Sequence, residues 1–486
     1  MNDPRMNLKQ KIGFFSGFST FFLLLIIETP EGMDPTALSA AAVSILMAIL
    51  WVTEAISIFA TSFLPIALFP LLGVMGPSQV AASYGHHIVL LILGAFFVAK
   101  AIETNNLHKR IALATIKAIG TSRQNVMLSF MIATGFLSMW TSNNSTTLMM
   151  LPIGLAIISR EKELGADVSR FAPALMLSIA YSASIGGTGT LVGTPPNLVF
   201  VSTAQELLPG SPNIVFTEWL KIGIPFVIVF LPMAWIYLIK FFGVQGDLQG
   251  SSEIIAEEYA SLGRISSAEK KVLYVVIVYA LGFIFREQWS TFLGVKGFVK
   301  DSTVAFVAAI VLFSLPSGKI DKNGETMRLL NWNDAKEIPW GIAMLIGGGL
   351  AIASSFKSTG LVVWIGDTIN LEGIPILLVL FIVVTAMVFL TEINSNTATT
   401  AVFLPVLAGM SGAGDFHPFL LMVPATIAAS CAFMLPSGTG PNASVLASGK
   451  LTIPQMARAG FGLNILAVLV IVILFYFIIL PMMSFA

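Results

Sequence analysis

Ser142-Asn143-Asn144-Ser145-Thr146-Thr147 and Ser395-Asn396-Thr397-Ala398-Thr399-Thr400 are near-copies of one hexamer, 253 residues apart. Each lies inside an otherwise apolar run, and each is followed by an apolar stretch ending in Leu-Pro, Leu151-Pro152 and Leu404-Pro405. Hydroxyls and amides are costly in a hydrophobic segment unless every polar group finds a partner. Meeting that cost twice, at matching positions of two halves, points to one composite site.

The surrounding chain is that of a membrane protein. Of its 486 residues 56% are hydrophobic and 11% charged, and the mean hydropathy is +0.87. Soluble domains carry about twice that share of charge. The 26 basic and 26 acidic residues cancel, so nothing in the balance favours a nucleic-acid partner. The single cysteine, Cys431, cannot form an intrachain disulfide and reads as core packing.

Taken in order, the apolar runs predict crossings. The first, 13–27, follows Arg5, Lys9 and Lys11 but runs into Glu28-Thr29-Pro30-Glu31, so it reads as a retained helix and not a cleaved leader. Run 37–74, broken only by Glu54, reads as two tightly joined helices, and 88–103 as another crossing. Lys109, Arg110, Lys117 and Arg123 then mark the cytoplasmic side, which also puts the N-terminus there. Run 125–158 is too long for one span and too short for two, with the first hexamer in its middle. It reads as a re-entrant hairpin, a form tolerated where protein or a water-filled cavity surrounds the tip.

The crossing that starts at 171 is interrupted at Gly193-Thr194-Pro195-Pro196-Asn197, because two prolines remove two amide donors. A crossing over 219–243, a polar linker over 247–271, and crossings over 272–285 and 302–315 follow. The pattern then repeats. Segment 345–361 resembles 91–107, 373–410 is a second hairpin, and 416–435 starts a second helix broken at Pro436-Ser437-Gly438-Thr439-Gly440-Pro441-Asn442. The last crossing, 460–480, leaves the C-terminus outside, as is the loop around Ala413. The expectation is an all-α polytopic membrane protein of about eleven transmembrane helices plus two re-entrant hairpins. The hairpins enter from opposite sides, so the halves form two inverted repeats with discontinuous helices at a site near the midplane.

Each tip sets Ser, Asn and Thr just before a helix, where free N–H groups and the dipole favour an anion. Two such ends facing one cavity suit a substrate with two separated negative groups, such as a dicarboxylate. The tips hold no Lys, Arg or His. Their oxygen-rich side chains and unwound carbonyls suit a hard cation, sodium being the economical choice. Protons are the alternative coupling ion, with Glu54, Glu103 or Glu392 as carriers, although structural carboxylates are the commoner case. One such hexamer alone would more often be interhelical glue; two with matching flanks outweigh that reading. His86 and His87 suit an interfacial helix start better than a metal site. Gly347-Gly348-Gly349 reads as close helix packing, since no Lys-Ser/Thr follows it.

The paired Ser-Asn-Thr tips, the paired Gly-Thr/Ser-x-Pro-Asn breaks and the Trp51-Val52-Thr53-Glu54-Ala55-Ile56 stretch resemble the divalent anion/sodium symporter family of di- and tricarboxylate transporters. The resemblance covers nearly the whole chain. It implies a homodimer in the cell (plasma or inner) membrane, with scaffold and transport parts moving as an elevator. Scaffold helices would occupy 1–124, and the first hairpin and broken helix 125–217. A linker with scaffold helices would take 218–338 and the ninth crossing 339–372. The second hairpin and broken helix would occupy 373–450, and the last helix 451–486. By the resemblance Ser138, Ser142, Asn143 and Gly193 match one sodium site, and Thr391, Ser395, Asn396 and Gly438 a second. Asn143, Asn144, Thr194, Asn396, Thr397 and Thr439 would meet substrate carboxylates. The chain departs from the family pattern at Asn144, where Thr is usual, and at Gly440, where Pro is. The expected activity is sodium-coupled uptake of succinate, malate or fumarate, with no organic cofactor. A sodium-independent di- or tricarboxylate exchanger or a sulfate transporter is the alternative. A membrane-embedded enzyme lacks a nucleophile–base pair, and a channel does not account for two re-entrant tips.

Overall fold

The computed structural model describes residues 6–119, 122–212, 214–248, 251–320, 324, 326–369, 371, 373–410 and 416–479. The loop around Ala413 and the end of the chain beyond residue 479 lie outside these. Helices start where the sequence supplies caps. Asn7 and Gln10 close a reciprocal box on Leu8–Ile26, and Ser266 with Glu269 closes one on Ser267–Ile284. Asp34 accepts the Thr36 N–H at 2.8 Å ahead of Pro35–Thr53. Each cap satisfies amides that a first turn leaves without partners.

Five helices among the described residues are long and apolar enough to cross a bilayer: Pro35–Thr53, Pro77–Thr104, Phe216–Phe242, Trp340–Ser358 and Ile453–Phe477. Shorter apolar helices include Ile58–Leu71, Phe171–Gly187, Asp301–Ser314, Ile376–Leu390, Asn396–Met410 and Phe419–Ala429. The chain is thus an all-α multi-pass membrane protein. Three details differ from the sequence expectation. Glu54 ends its helix in the left-handed conformation (φ 50°, ψ 35°), and the return segment is the short pieces Ile58–Thr61 and Leu64–Leu71, with prolines at 65 and 70. The polar linker contains a helix, Ser251–Ser261, packed on Leu107–Ile119. A two-stranded hairpin, Pro316–Ile320 with Thr326–Arg328, went unforeseen, although Asn323-Gly324 in the sequence is a known hairpin signal.

The two hexamers each lie at the junction of two successive helices. Arg123–Ser138 leads to Asn143–Glu163, and Ile376–Leu390 leads to Asn396–Met410. Against the first pair packs Phe171–Gly187, buried at every residue; against the second packs Phe419–Ala429, also buried throughout. A helix apolar all round belongs in a core, and these two helices carry almost nothing but small and apolar residues. After each break the chain crosses to the other half. Pro195–Leu207 packs on Asn396–Met410, while Gly440–Ala447 packs on Asn143–Glu163. Tyr181 ties the halves further by donating to the Phe433 carbonyl at 2.7 Å.

Candidate functional site

The two tips have the same internal chemistry. Ser138 Oγ lies 2.7 Å from Asn143 Oδ1 and 2.7 Å from the Ala183 carbonyl. Thr391 Oγ1 lies 2.7 Å from Asn396 Oδ1 and 2.7 Å from the Ala429 carbonyl. A hydroxyl has one proton to donate. Each cluster therefore holds three oxygens and one proton between them, which leaves lone pairs for a cation. The carbonyls come from the helices that lead into the breaks, Ala183 one turn before the end of Phe171–Gly187. Ala429 is where its helix stops, seven residues before the break expected at Pro436. There the Phe433, Met434 and Leu435 N–H groups donate instead to the Glu392 carboxylate at 2.6–2.9 Å.

The breaks match as well. Asn197 Nδ2 donates to the carbonyls of Thr190 (2.8 Å) and Gly187 (3.4 Å). Asn442 Nδ2 donates to those of Leu435 and Ala432, both at 3.0 Å. Each asparagine staples the unwound backbone that its own motif created. Gly193 lies where a side chain would strike the Gly187 and Ser138 carbonyls, the latter 3.0 Å from an added Cβ. At Gly438 an added Cβ would have more room, with the Ala432 Cβ at 3.0 Å and the Glu392 carbonyl at 3.2 Å.

Of the residues expected in the site, Ser138, Asn143 and Gly193 come together in the first half, and Thr391, Asn396 and Gly438 come close in the second. Ser142 is used differently: its Oγ accepts the Ser145 N–H at 3.2 Å and donates to Ser145 Oγ at 2.8 Å. Ser395 contributes backbone, its N–H bound to Asn394 Oδ1 at 2.9 Å. Thr194 and Thr439 stand at the N-caps of the second half-helices. Thr439 Oγ1 accepts the Asn442 N–H at 3.3 Å, and Thr194 is buried without a side-chain cap bond. Thr397 is buried on the second exit helix. Asn144 reaches across to the second break, where Ser444 Oγ donates to its Oδ1 at 3.2 Å.

Sequence reading missed the Ala183 and Ala429 carbonyls and Gly187, since backbone acceptors carry no residue signature. Glu392 is buried and accepts a further bond from Asn464 at 2.8 Å. Glu54 is exposed at its helix end. Glu103 pairs with Lys100 (3.2 Å), which also meets Glu337 (2.7 Å). Lys100 and Glu337 line a cavity of about 690 Å³ that extends to the first-tip hydroxyls of Thr141, Ser142, Ser145 and Thr146. His86 and His87 stack at 4.4 Å, and no His, Cys, Asp and Glu cluster suited to a metal occurs among the described residues. The glycine run meets Tyr84, Ser62 and Ala401 side chains and backbone, as close packing requires.

Two interlocked broken helices around one polar centre, in a multi-pass helical bundle, define a membrane protein of the ion-coupled transporter class. The chain belongs to the family described as the sodium:sulfate symporter transmembrane region, whose model matches residues 11–483. It is 40% identical over 488 residues to the sodium-dependent dicarboxylate transporter SdcS of Staphylococcus saprophyticus, covering 98% of this chain and 93% of that one. It is also 40% identical to SdcS of Staphylococcus aureus strain MRSA252, covering 96% and 91%. Two solved structures share the fold at low identity. MtrF of Neisseria gonorrhoeae has TM-score 0.59 at 12% identity, covering 97% of this chain and 95% of that one. The YdaH transporter of Alcanivorax borkumensis has TM-score 0.59 at 11%, covering 96% and 97%.

Proposed function

We propose that the protein takes up C4 dicarboxylates such as succinate, malate or fumarate together with sodium, across the cell membrane, by alternating access of elevator type. The observation that carries this is the pair of three-oxygen clusters, Ser138–Asn143–Ala183 and Thr391–Asn396–Ala429, each short of protons. Hard cations take such oxygen sets. Sodium held by these groups, with Gly193 and Gly438 beside them, would offset a dianion that no Lys, Arg or His of the tips can balance. The substrate carboxylates would lie between the exit-helix N-termini, near Asn143, Asn144, Thr194, Asn396, Thr397 and Thr439. The SdcS relatives, sodium-dependent dicarboxylate transporters by name, support the same substrate class.

About eleven crossings, two re-entrant hairpins and inverted halves belong to this reading, with the N-terminus cytoplasmic, the C-terminus external and two copies forming a homodimer. The crossed packing of each break on the other half's hairpin supports it, as does the cavity that reaches the first tip beside Lys109 and Glu258. The test is uptake of labelled succinate into proteoliposomes under an inward sodium gradient. Accumulation in empty vesicles should vanish when choline replaces external sodium. Uptake that persists without sodium and accelerates with succinate preloaded inside would identify an exchanger.

A further inference from the structure

The two tips differ at two places, Asn144 against Thr397 and Ser145 against Ala398, and the first difference falls on a contact between the halves. A Cβ at Gly440 would lie 2.8 Å from Asn144 Oδ1 and 2.9 Å from its Cγ, so the asparagine occupies the space that this glycine leaves. Ser444, one turn further along the same short helix, donates to that Oδ1 at 3.2 Å. The matching contact in the other half pairs Pro195–Leu207 with Asn396–Met410. There Thr397 replaces Asn144, Pro195 replaces Gly440, and Val199 replaces Ser444. At the matching positions of the two packed helix pairs the chain therefore carries two residue sets: a short hydroxyl side chain with proline and valine, and a longer amide with glycine and serine.

We infer that Ser444 and Gly440 determine anion specificity by positioning Asn144. An amide offers one acceptor and two donors. With Oδ1 held by the Ser444 hydroxyl, the Nδ2 donors have no partner among the described hydrogen bonds and can meet a carboxylate. A hydroxyl at this point also sets which way the amide faces, since a donor there selects Oδ1 and not Nδ2. All three residues lie on hairpin and break segments of one packed unit, so the contact survives a rigid movement of that unit. This rests on the dicarboxylate reading above, and it makes one end of the site longer-armed and richer in donors than the other.

The test is a double-mutant cycle of Asn144→Thr and Gly440→Pro, with Ser444→Ala and Ser444→Thr alongside. Two quantities are read in each protein: melting temperature without substrate, and inhibition of labelled succinate uptake by citrate relative to unlabelled succinate. Gly440→Pro alone should lower succinate uptake by about tenfold or more, because proline displaces the amide. The double variant, which carries the Thr and Pro found at the matching positions of the other half, should recover uptake and let citrate compete about tenfold better than in wild type. Ser444→Ala should shift the ratio the same way, and Ser444→Thr should restore it. Additive effects in the cycle, or one citrate-to-succinate ratio in all variants, would overturn the inference. Coupling in melting temperature with no change in ratio would overturn it too, leaving a packing contact. A wild type that neither takes up succinate nor is stabilised by it would instead sink the dicarboxylate reading, and the specificity role with it.

Discussion

At the scale of single residues, the weight falls on Asn143 and Asn396, whose Oδ1 atoms complete the two oxygen clusters. Replacing either with alanine removes a half-buried acceptor, at a cost of about 1–3 kcal/mol and more with a charged ligand. Asn143→Ala and Asn396→Ala should each cut sodium-dependent succinate uptake severely while the protein remains folded by gel filtration. Normal uptake in either variant would show that its half is packing and that the site is not composite. Glycine matters at the same scale. Asn143 Oδ1 fills the place of a Gly187 side chain, whereas the second half has Ala432 at the matching position. The repeats are thus related without being interchangeable, and their hexamers alone do not reveal it.

At the scale of elements, the breaks are held open by side chains that outcompete helix continuation. Glu392 takes three N–H groups of residues 433–435 and the amide of Asn464, where the first half has Met139. Glu392→Gln turns an acceptor-only group into one with an N–H₂ that must face backbone donors. The second break should loosen. We expect a loss of about 1–3 kcal/mol in stability and a higher sodium requirement for uptake; an unchanged melting temperature and sodium dependence would remove Glu392 from this role. How legible these elements were follows from what made them. The hexamers, prolines and glycines announced both interhelix junctions at the tips and both breaks, since such residues are costly elsewhere. The second helix nevertheless ends seven residues before Pro436, because Thr391 and Glu392 capture its backbone from another segment, and no local pattern encodes a distant partner. The helix Ser251–Ser261 was hidden for a simpler reason: its polar sequence carries no apolar period.

At the scale of the molecule, the proposed inverted arrangement would fix which loops face which side. The best reporter positions are exposed and free of backbone strain. Gly165 is unsuited, since its φ is +80°, but Glu163 is exposed and Gly210 has open space around it. A cysteine at Gly210 (Gly210→Cys, with Cys431 buried and silent) should react with an impermeant thiol reagent from outside intact cells. Glu163→Cys should react only after the membrane is opened, and the reverse pattern at either position would break the inverted reading. The crossed packing has a further consequence, for how the protein is made. Asn144 and its partner Ser444 are 300 residues apart in the chain, and synthesis runs at about 5–20 residues per second. For roughly 15–60 s on that scale the first tip exists in the bilayer without the segment that completes it. A nascent chain at this stage carries unpaired polar groups in lipid, so it is the half-made protein, more than the finished one, that cellular quality control meets in its least stable form.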